Sequence, residues 1–451
     1  MSRFEKNLSE GNVAKQLILF SLPVLFSNLI QSLYSTVDML VVGRYAGPEA
    51  MSGVNIGGQV SFLITNMVFG LSVGATVLIG QYVGADNRKM IKKTISTLFS
   101  SLFIAAIFIT IITIFLQDPL LKLIKTPKES YSEAKRYFFI SMLGTVFIFG
   151  YNALSSVMRG LGDSKNPLIF ITIACVTNII LDIIFVAVLK LGASGAAIAT
   201  VISQAFSVVL CIFYLKKRDF VFDFSIESFK CASLKQLKLI LKIGIPTSIQ
   251  NVATSASFLF LTSLVNSLGV MESAAVGAVG KLNGFAILPG VAMSTSVSAM
   301  AAQNIGAGKY DRAKKTMFTG MTIAMGISAV IFAVVAIAPD ACIKLFGSDP
   351  KLIKCGVEYM KAFKYDYFVA PLCFCMNGLF IGAGKTYFSL TNGIMSSLLF
   401  RIPASYIFGM TLGGGLYGVG LGAPIASGAA LLFAVIFFIS GKWKSKVISN
   451  Q

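Results

Sequence analysis

Long apolar runs separated by short polar segments dominate the chain. Runs of about 20 residues or more recur along the whole length, and each is long enough to cross a hydrocarbon core of about 30 Å as an α-helix. Several runs are longer than a single crossing needs, which predicts tilt, a kink or extension beyond the bilayer. The pattern predicts twelve spans near residues 14–42, 54–82, 92–116, 136–158, 167–189, 195–215, 237–268, 274–302, 315–338, 357–382, 387–411 and 416–440.

Composition and charge support a membrane protein. Of the 451 residues, 55% are hydrophobic and 13% charged, whereas soluble domains carry about 25% charged residues. The net charge of +19 would suggest a nucleic-acid partner in a soluble protein, but here the lysines and arginines lie mainly between apolar runs. With the N-terminus inside, inward loops and tails hold 24 of them and outward loops 10. The positive-inside rule then predicts two cytoplasmic termini, and no nucleic-acid partner is expected.

A sequence repeat divides the chain into two halves of six spans. The stretch QYVGADNRKMIKKT from Gln81 returns in the second half as QNIGAGKYDRAKKT from Gln303, with six of fourteen positions identical. In the same alignment, RGLGDSKNP from Arg159 matches IGAGKTYFS from Ile381. An even number of spans gives both halves the same orientation. The predicted fold class is therefore an all-α integral membrane protein, with twelve transmembrane helices in two six-helix lobes related by a pseudo-two-fold axis along the membrane normal. The predicted lobes are 1–215 and 237–451, joined by a cytoplasmic linker at 216–236.

Three carboxylates, Asp38, Asp182 and Asp366, lie well inside predicted spans. An aspartate at a helix centre costs about 2.5–3.5 kcal/mol on insertion scales, so such a residue usually faces a cavity or a partner. For Asp38 the alternative is a carboxylate near a span end that the lipid head groups solvate. These residues are the first candidates for function.

Asp38, Asp182 and Thr200 are predicted to lie in one layer in the outer half of the membrane. They are about five, seven and five residues from the outward ends of spans 1, 5 and 6, at about 1.5 Å per residue. Asn178 precedes Asp182 by one helical turn on the same face. We therefore predict a cation-coupling cluster of Asp38, Asn178, Asp182 and Thr200. Two close carboxylates would suit a proton, and the same oxygens would suit a sodium ion, so the residues alone leave both ions open.

The second half carries different candidates. Asp366 in span 10 and Arg401 in span 11 have matching depths, which predicts a buried ion pair that is either structural or functional. Lys281, inside span 8, has no assigned role, and its ammonium group is expected to reach the outer surface. Pro23 removes a backbone hydrogen bond from span 1 and can kink it. The alternatives for Pro23 are a static kink and a hinge that responds to cation binding.

Other chemistry is not supported. The chain contains no histidine, so a zinc site on its cysteines is not expected, and sodium is the one metal ion considered. The stretch GAGKT at 382–386 resembles the end of a phosphate-binding loop, but Leu379 stands where that motif needs glycine. Neither ATP nor another cofactor is therefore expected. No nucleophile stands beside a base, so an enzyme is not expected either.

Several motifs together resemble the MATE (multidrug and toxic compound extrusion) transporters. They are FSLPVLFSN in span 1, GQYVGA after span 2 and MRGLGDSKNP after span 4, within a 6+6 repeat. The chain is most similar to the bacterial DinF-like branch, because polar residues of matching type occur at Tyr34 and Asn152 as well as in the predicted cluster. The resemblance also places the hinge of the family at Pro23. Span 7 lacks the membrane-embedded glutamate of the NorM-like branch.

The resemblance implies a secondary antiporter that exports cationic amphipathic drugs or toxic compounds in exchange for protons or sodium. We expect a monomer in the bacterial cytoplasmic membrane, in contact with lipid and small organic substrates. The alternative within the superfamily is a flippase for lipid-linked oligosaccharides, whose anionic substrate would call for arginines along the cavity. A channel or receptor would instead conduct or bind without uphill transport.

Overall fold

The computed structural model describes residues 6–124, 126–217 and 220–448. Three basic residues counted for the predicted orientation, Arg3, Lys125 and Arg218, lie outside these ranges. The described residues form helices joined by short turns, and no strand occurs among them. The helices are α1 (Val13–Tyr45), α2 (Gly47–Gly84), α3 (Arg88–Leu123), α4 (Lys128–Leu143), α5 (Thr145–Gly160), α6 (Lys165–Asp182), α7 (Gly192–Lys216), α8 (Ile226–Phe229), α9 (Leu234–Asn266), α10 (Val270–Ala286), α11 (Leu288–Gly306), α12 (Tyr310–Ile337), α13 (Pro339–Lys344), α14 (Pro350–Phe363), α15 (Asp366–Gly382), α16 (Thr386–Ile394), α17 (Ile402–Tyr406) and α18 (Gly415–Ile439).

Within the described ranges, three π-helical segments interrupt the α-helical pattern. Ile183–Val188 continues α6 directly after Asp182, Met395–Arg401 joins α16 to α17, and Ile407–Thr411 follows α17. Such segments widen the helical turn and are often found at functional sites, because they shift the direction of the side chains that follow.

The helices match the predicted spans and confirm an all-α integral membrane protein. In the described part of the chain, ten helical stretches are long and apolar enough to cross a membrane. Three of them combine consecutive elements: Lys165–Val188, Val270–Gly306 and Thr386–Thr411. The pair α4 and α5, bent by 51° at Gly144, adds an eleventh span, and the shorter apolar helix α15 covers the second part of the predicted span 10.

The main differences are at spans 4 and 10. Span 4 is predicted to begin at residue 136, but α4 begins at Lys128. Span 10 is predicted to begin at residue 357, but the chain there belongs to α14, and α15 begins at Asp366.

The turns reproduce the sequence repeat in their backbone angles. Asp86 (φ +52°) and Gly308 (φ +78°) occupy equivalent positions of the two repeats, and both adopt the left-handed conformation. Gly162 (φ +87°) and Gly384 (φ +72°) form a second equivalent pair in the same conformation. Glycine adopts this conformation without the steric cost that a side chain brings, so the repeated motifs specify the same turn twice.

The described chain divides into two compact units. Unit 1 contains residues 26–245 together with the residues before Leu8, and unit 2 contains Leu8–Leu25 and everything from Pro246 onward. The division therefore falls within α1, two residues after Pro23, and within α9 at Pro246. The predicted lobes divide in the linker instead, and their boundaries stay a prediction.

Polar contacts hold the first part of α9 in unit 1. The side chain of Gln236 is fully buried; its amide donates to the Tyr82 hydroxyl at 3.1 Å, and its oxygen accepts from the Thr94 hydroxyl at 3.1 Å. A carbon atom added to Gly74 would lie 2.5 Å from the Ile240 carbonyl oxygen, so the absence of a side chain at Gly74 allows this close approach.

The N-terminal segment is held in unit 2 in a similar way. The Leu8 N–H donates to Gln303 at 2.9 Å, and Arg312 donates to the carbonyl oxygens of Glu10 and Gly11, each at 2.7 Å. Leu17 and Phe20 then pack into an apolar core formed with α11, α12 and α15. Each unit therefore has its own core and its own polar anchors.

Candidate functional site

The predicted cluster forms inside unit 1, where α1, α6 and α7 contribute one or two polar residues each. Asp38 is in the second half of α1, Asn178 and Asp182 lie one turn apart on α6, and Thr200 is on α7. Asp38 is 6% exposed, and both Asn178 and Asp182 are 0% exposed. Asp182 is the last residue of α6 before the π-helical segment, which places the change in helix geometry directly at the carboxylate.

The carboxylates of Asp38 and Asp182 lie within hydrogen-bond reach of each other. Yet Oδ1 of Asp38 and both carboxylate oxygens of Asp182 are buried and accept no hydrogen bond from any described residue. Within the described part of the chain, no lysine or arginine acts on either group. Two ionised carboxylates cannot donate to each other, so this contact is unfavourable while both groups carry their charge.

Amide and hydroxyl groups surround the pair. Nδ2 of Asn178 lies 3.5 Å from Oγ1 of Thr200, at the outer limit of a hydrogen bond, and Oδ1 of Asn178 is buried without a donor. The hydroxyl of Tyr34 approaches Thr200 and Ser203 and interacts electrostatically with both aspartates. The site therefore offers several oxygen atoms to one small cation.

Two residues of this site were not predicted. Ser203 lies beside Tyr34, and the buried side chain of Tyr137 interacts electrostatically with Asp38, Tyr34 and Asp182. Tyr137 was missed because span 4 was predicted to begin at residue 136, which would leave Tyr137 at the membrane surface. In the structure α4 begins at Lys128, and its buried residues Ser130 and Ala134 precede Tyr137 at helical spacing. A span predicted to begin near residue 128 would have placed Tyr137 well inside the membrane.

Asn152 lies in a different environment. Its side chain donates to the Ile148 carbonyl oxygen of its own helix at 2.9 Å. It also lines a small cavity of about 10 Å³ with residues of α2 and α3, among them Ser72 and Leu102. The structure therefore places Asn152 beside α2 and gives it a helix-internal partner.

The two charged candidates of the second half line one cavity in unit 2. Asp366, at the start of α15, and Arg401, at the end of a π-helical segment, both border a space of about 190 Å³. The direct ion pair predicted from their equal depths is not formed: they interact electrostatically across the cavity, but no contact within 4.0 Å joins these two described residues. Lys281 on α10 is exposed.

Comparison with known proteins agrees with this architecture. The MatE family model matches two segments of equal length, residues 23–184 and 246–407, one in each half of the chain. The chain belongs to the MATE family. Probable multidrug resistance protein YpnP of Bacillus subtilis (strain 168) is 31% identical to it over 445 residues, covering 99% of each chain. Probable multidrug resistance protein YoeA of the same organism is 28% identical, covering 98% of this chain and 96% of its own.

A solved structure described as MATE in the bent conformation has the same fold. It superposes with a TM-score of 0.89 at 23% identity, covering 96% of this chain and 97% of its own. Membership of the MATE family makes this protein a multi-pass membrane transporter and not an enzyme. The branch within the family stays a prediction from the sequence.

Proposed function

We propose that this MATE transporter is an antiporter that exports cationic amphipathic compounds in exchange for a cation bound between Asp38 and Asp182. The observation that carries the proposal is the contact between two buried carboxylates, of which Oδ1 of Asp38 and both oxygens of Asp182 lack a donor. The curated relatives named multidrug resistance proteins support export of organic compounds as the overall activity.

The carboxylate pair has the properties that coupling requires. A buried negative charge without a partner is costly, and a second one beside it adds repulsion, so the cation-free pair favours a different packing of its helices. Binding one cation removes much of this cost. A site whose two states differ in this way can couple cation entry to a conformational change of α1, which carries Asp38.

Both ions considered for the site fit its oxygens. A shared proton would supply the donor that the contact between Asp38 and Asp182 lacks. A sodium ion would use the same carboxylates together with the oxygens of Asn178 and Thr200, and oxygen is the ligand type that hard cations prefer. Because a shared proton would supply the missing hydrogen-bond donor, the proton is the first ion to test.

Pro23 is the proposed hinge of α1. It lies inside the helix, fifteen residues before Asp38. The boundary between the two units follows Leu25, two residues after Pro23. Proline leaves one carbonyl of the preceding turn without its helical partner, so bending at this point breaks fewer hydrogen bonds. We propose that cation binding at Asp38 changes the bend of α1 near Pro23.

The first experiment measures uphill transport of a fluorescent cationic dye in proteoliposomes under an imposed proton or sodium gradient. The wild type is compared with Asp38→Asn and Asp182→Asn, which remove the charge and keep the shape. Asp340→Asn makes the same chemical change at an exposed position and is the control. One gradient should drive transport in the wild type and the control, while both cluster variants fall to the level of protein-free vesicles.

Other outcomes would contradict specific parts of the proposal. Full transport by both cluster variants would exclude the carboxylate pair as the coupling site. If neither the proton gradient nor the sodium gradient drives dye movement, the protein is not an exporter of this dye, and lipid-linked substrates become the alternative. Pro23→Ala tests the hinge in the same assay: wild-type transport by this variant would exclude it, and slowed transport with unchanged dye binding is expected.

A further inference from the structure

Unit 2 contains two adjoining cavities of different character. The first, of about 190 Å³, is lined by Asp366 and Arg401 and by the amide side chains of Asn377 and Asn392. The second, of about 270 Å³, is bordered mainly by apolar groups, among them Val276, Val279 and Leu261. Phe258, Asn283 and Phe363 line both spaces, so the cavities adjoin at these side chains.

Opposite charges face the first cavity without touching each other. The buried Oδ1 of Asp366 accepts no hydrogen bond, and the buried Nε and Nη1 of Arg401 donate none, among the described residues. The Arg401 guanidinium lies 4.7 Å from the centre of the Phe258 ring, which fixes its position beside the cavity. Ser427 lies within hydrogen-bond reach of the Asp366 carboxyl group. Buried atoms of both charges thus lack a partner, and both side chains line the same cavity.

The second cavity has open room for an apolar group. A carbon atom added to Gly277 or Gly280, which border this cavity on α10, would meet no atom within 4 Å. The hydroxyl-bearing ring of Tyr359 borders the same space and interacts electrostatically with Arg401 and Asp366. The charged end and the apolar end are therefore neighbours inside one unit.

We propose that this pair of cavities binds a small zwitterion with an apolar substituent, of the α-amino acid type. Its ammonium group would pair with Asp366 and its carboxylate with Arg401, while the apolar group would enter the second cavity. Such a ligand supplies partners for the buried atoms of Asp366 and Arg401 that have none among the described residues. The first cavity is smaller than the roughly 300–1,000 Å³ of drug-sized pockets, which favours a compact charged group. The inference concerns binding and does not depend on the coupling mechanism of unit 1.

The test measures binding to the full-length protein in detergent by isothermal titration calorimetry. L-phenylalanine is compared with phenethylamine, which lacks the carboxylate, with 3-phenylpropionate, which lacks the ammonium group, and with glycine, which lacks the apolar group. L-phenylalanine should bind about 10- to 100-fold more tightly than each analogue, because each analogue leaves one buried group without a partner or one cavity unfilled.

Variants identify the site. Arg401→Gln should remove the preference for L-phenylalanine over phenethylamine, and Asp366→Asn the preference over 3-phenylpropionate. Gly280→Leu should weaken L-phenylalanine and leave glycine unchanged, because the new side chain fills only the second cavity. Gly326→Leu is its control, since a carbon atom there also meets nothing within 4 Å and Gly326 borders neither cavity. Size-exclusion profiles verify that each variant folds.

Three results would overturn the inference. One is the absence of saturable binding of both L-phenylalanine and L-leucine to the wild type, which would leave water as the occupant that bridges the charges. A second is equal affinity for phenethylamine and L-phenylalanine, which would make the site a cation site. The third is equal weakening by Gly280→Leu and Gly326→Leu, which would place the apolar group elsewhere.

Discussion

At the scale of single residues, Asp223 organises the segment between the two halves of the chain. Its Oδ1 accepts hydrogen bonds from the Ser225 N–H at 3.0 Å, the Ser225 hydroxyl at 2.9 Å and the Ser228 hydroxyl at 2.5 Å. These bonds close the turn that holds Phe224 at φ +57°, a conformation that bulky residues rarely adopt. Phe224 then packs against Phe99, with ring centres 5.7 Å apart.

The Asp223 turn should be sensitive to strong acid. Donation from Ser228 and Ser225 lowers the pKa of the Asp223 carboxyl from its ordinary value to about 2. Because the folded-state pKa lies below that of the unfolded chain, which is about 3.9, the stabilisation is fully present above about pH 4 and is lost as the pH falls toward 2. We expect pepsin to cleave Asp223→Ala faster than the wild type within residues 220–229 at pH 4, with a clearly smaller difference at pH 2, where about half of the Asp223 carboxyl groups are protonated.

Glu227→Ala is the control for Asp223, because Glu227 is an exposed acid in the same segment. It should be cleaved at the wild-type rate at both pH values. A wild-type protein whose advantage over Asp223→Ala is as large at pH 2 as at pH 4 would show that the carboxylate does not hold the turn.

The same scale explains which site residues could be predicted. Asp38 and Asp182 stand out because a carboxylate in an apolar run is costly, so its presence alone indicates a function. Tyr137 and Ser203 carry no such signal, since tyrosine and serine enter spans at little cost. Equal depth indicated that Asp366 and Arg401 could meet, but depth says nothing about the direction of each side chain around its helix. In the structure both line one cavity without forming an ion pair.

At the scale of elements, small residues set how closely helices approach. In unit 2, a carbon atom added to Gly378 on α15 would lie 2.5 Å from the Ser294 carbonyl oxygen on α11, and one added to Gly382 would lie 2.5 Å from that of Ser298. The two glycines are four residues apart and share one helix face. This arrangement is the small-residue interface that lets helix backbones come close in a membrane.

Gly378→Leu should therefore destabilise unit 2. The new side chain meets backbone, which cannot rotate away, so α11 and α15 must separate and lose packing along their contact. We expect a loss of about 1–3 kcal/mol or more, measured as a lower midpoint of thermal unfolding in detergent. The same substitution at Gly326, where a carbon atom meets nothing within 4 Å, should leave the midpoint within the error of the wild type. Equal midpoints for the two variants would contradict a close crossing at Gly378.

Helix positions followed from the apolar pattern, but local helix geometry did not. Span 5, predicted at 167–189, is matched by Lys165–Val188, because apolar length reports directly on helix position. The π-helical segment Ile183–Val188 has no comparable signal, since its sequence, IIFVAV, is as apolar as the α-helix before it. The wider turn follows from packing among neighbouring helices, which a single sequence does not report.

At the scale of the whole molecule, the two halves share turns but not chemistry. The left-handed turn positions of the first half recur at the equivalent positions of the second, so the repeat specifies the same connections twice. In the same alignment, however, Asp182 is matched by Ala404 and Arg401 by Ile179. The acidic pair therefore belongs to unit 1 alone, and the mixed-charge cavity to unit 2 alone. A repeated fold with different polar residues can give its two halves separate tasks.

The orientation of the molecule in the membrane can be tested with its own cysteines. Cys231, between α8 and α9, is exposed, while Cys175, Cys211, Cys342, Cys355 and Cys375 are buried and Cys373 is partly buried. A membrane-impermeant maleimide should therefore react mainly at Cys231. The 24 to 10 distribution of basic residues predicts that this segment faces the cytoplasm.

We expect no labelling of Cys231 in intact cells and strong labelling in inside-out vesicles, measured as the mass increase of the purified protein. Cys231→Ser should abolish the signal in the vesicles. Asp340→Cys, introduced into the Cys231→Ser protein at an exposed position in a loop predicted to be outward, should give the opposite pattern. Labelling of Cys231 in intact cells would show that the orientation is the reverse of the predicted one. It would place Asp38 and Asp182 in the cytoplasmic half of the membrane, where a coupling ion would have to reach them from inside the cell.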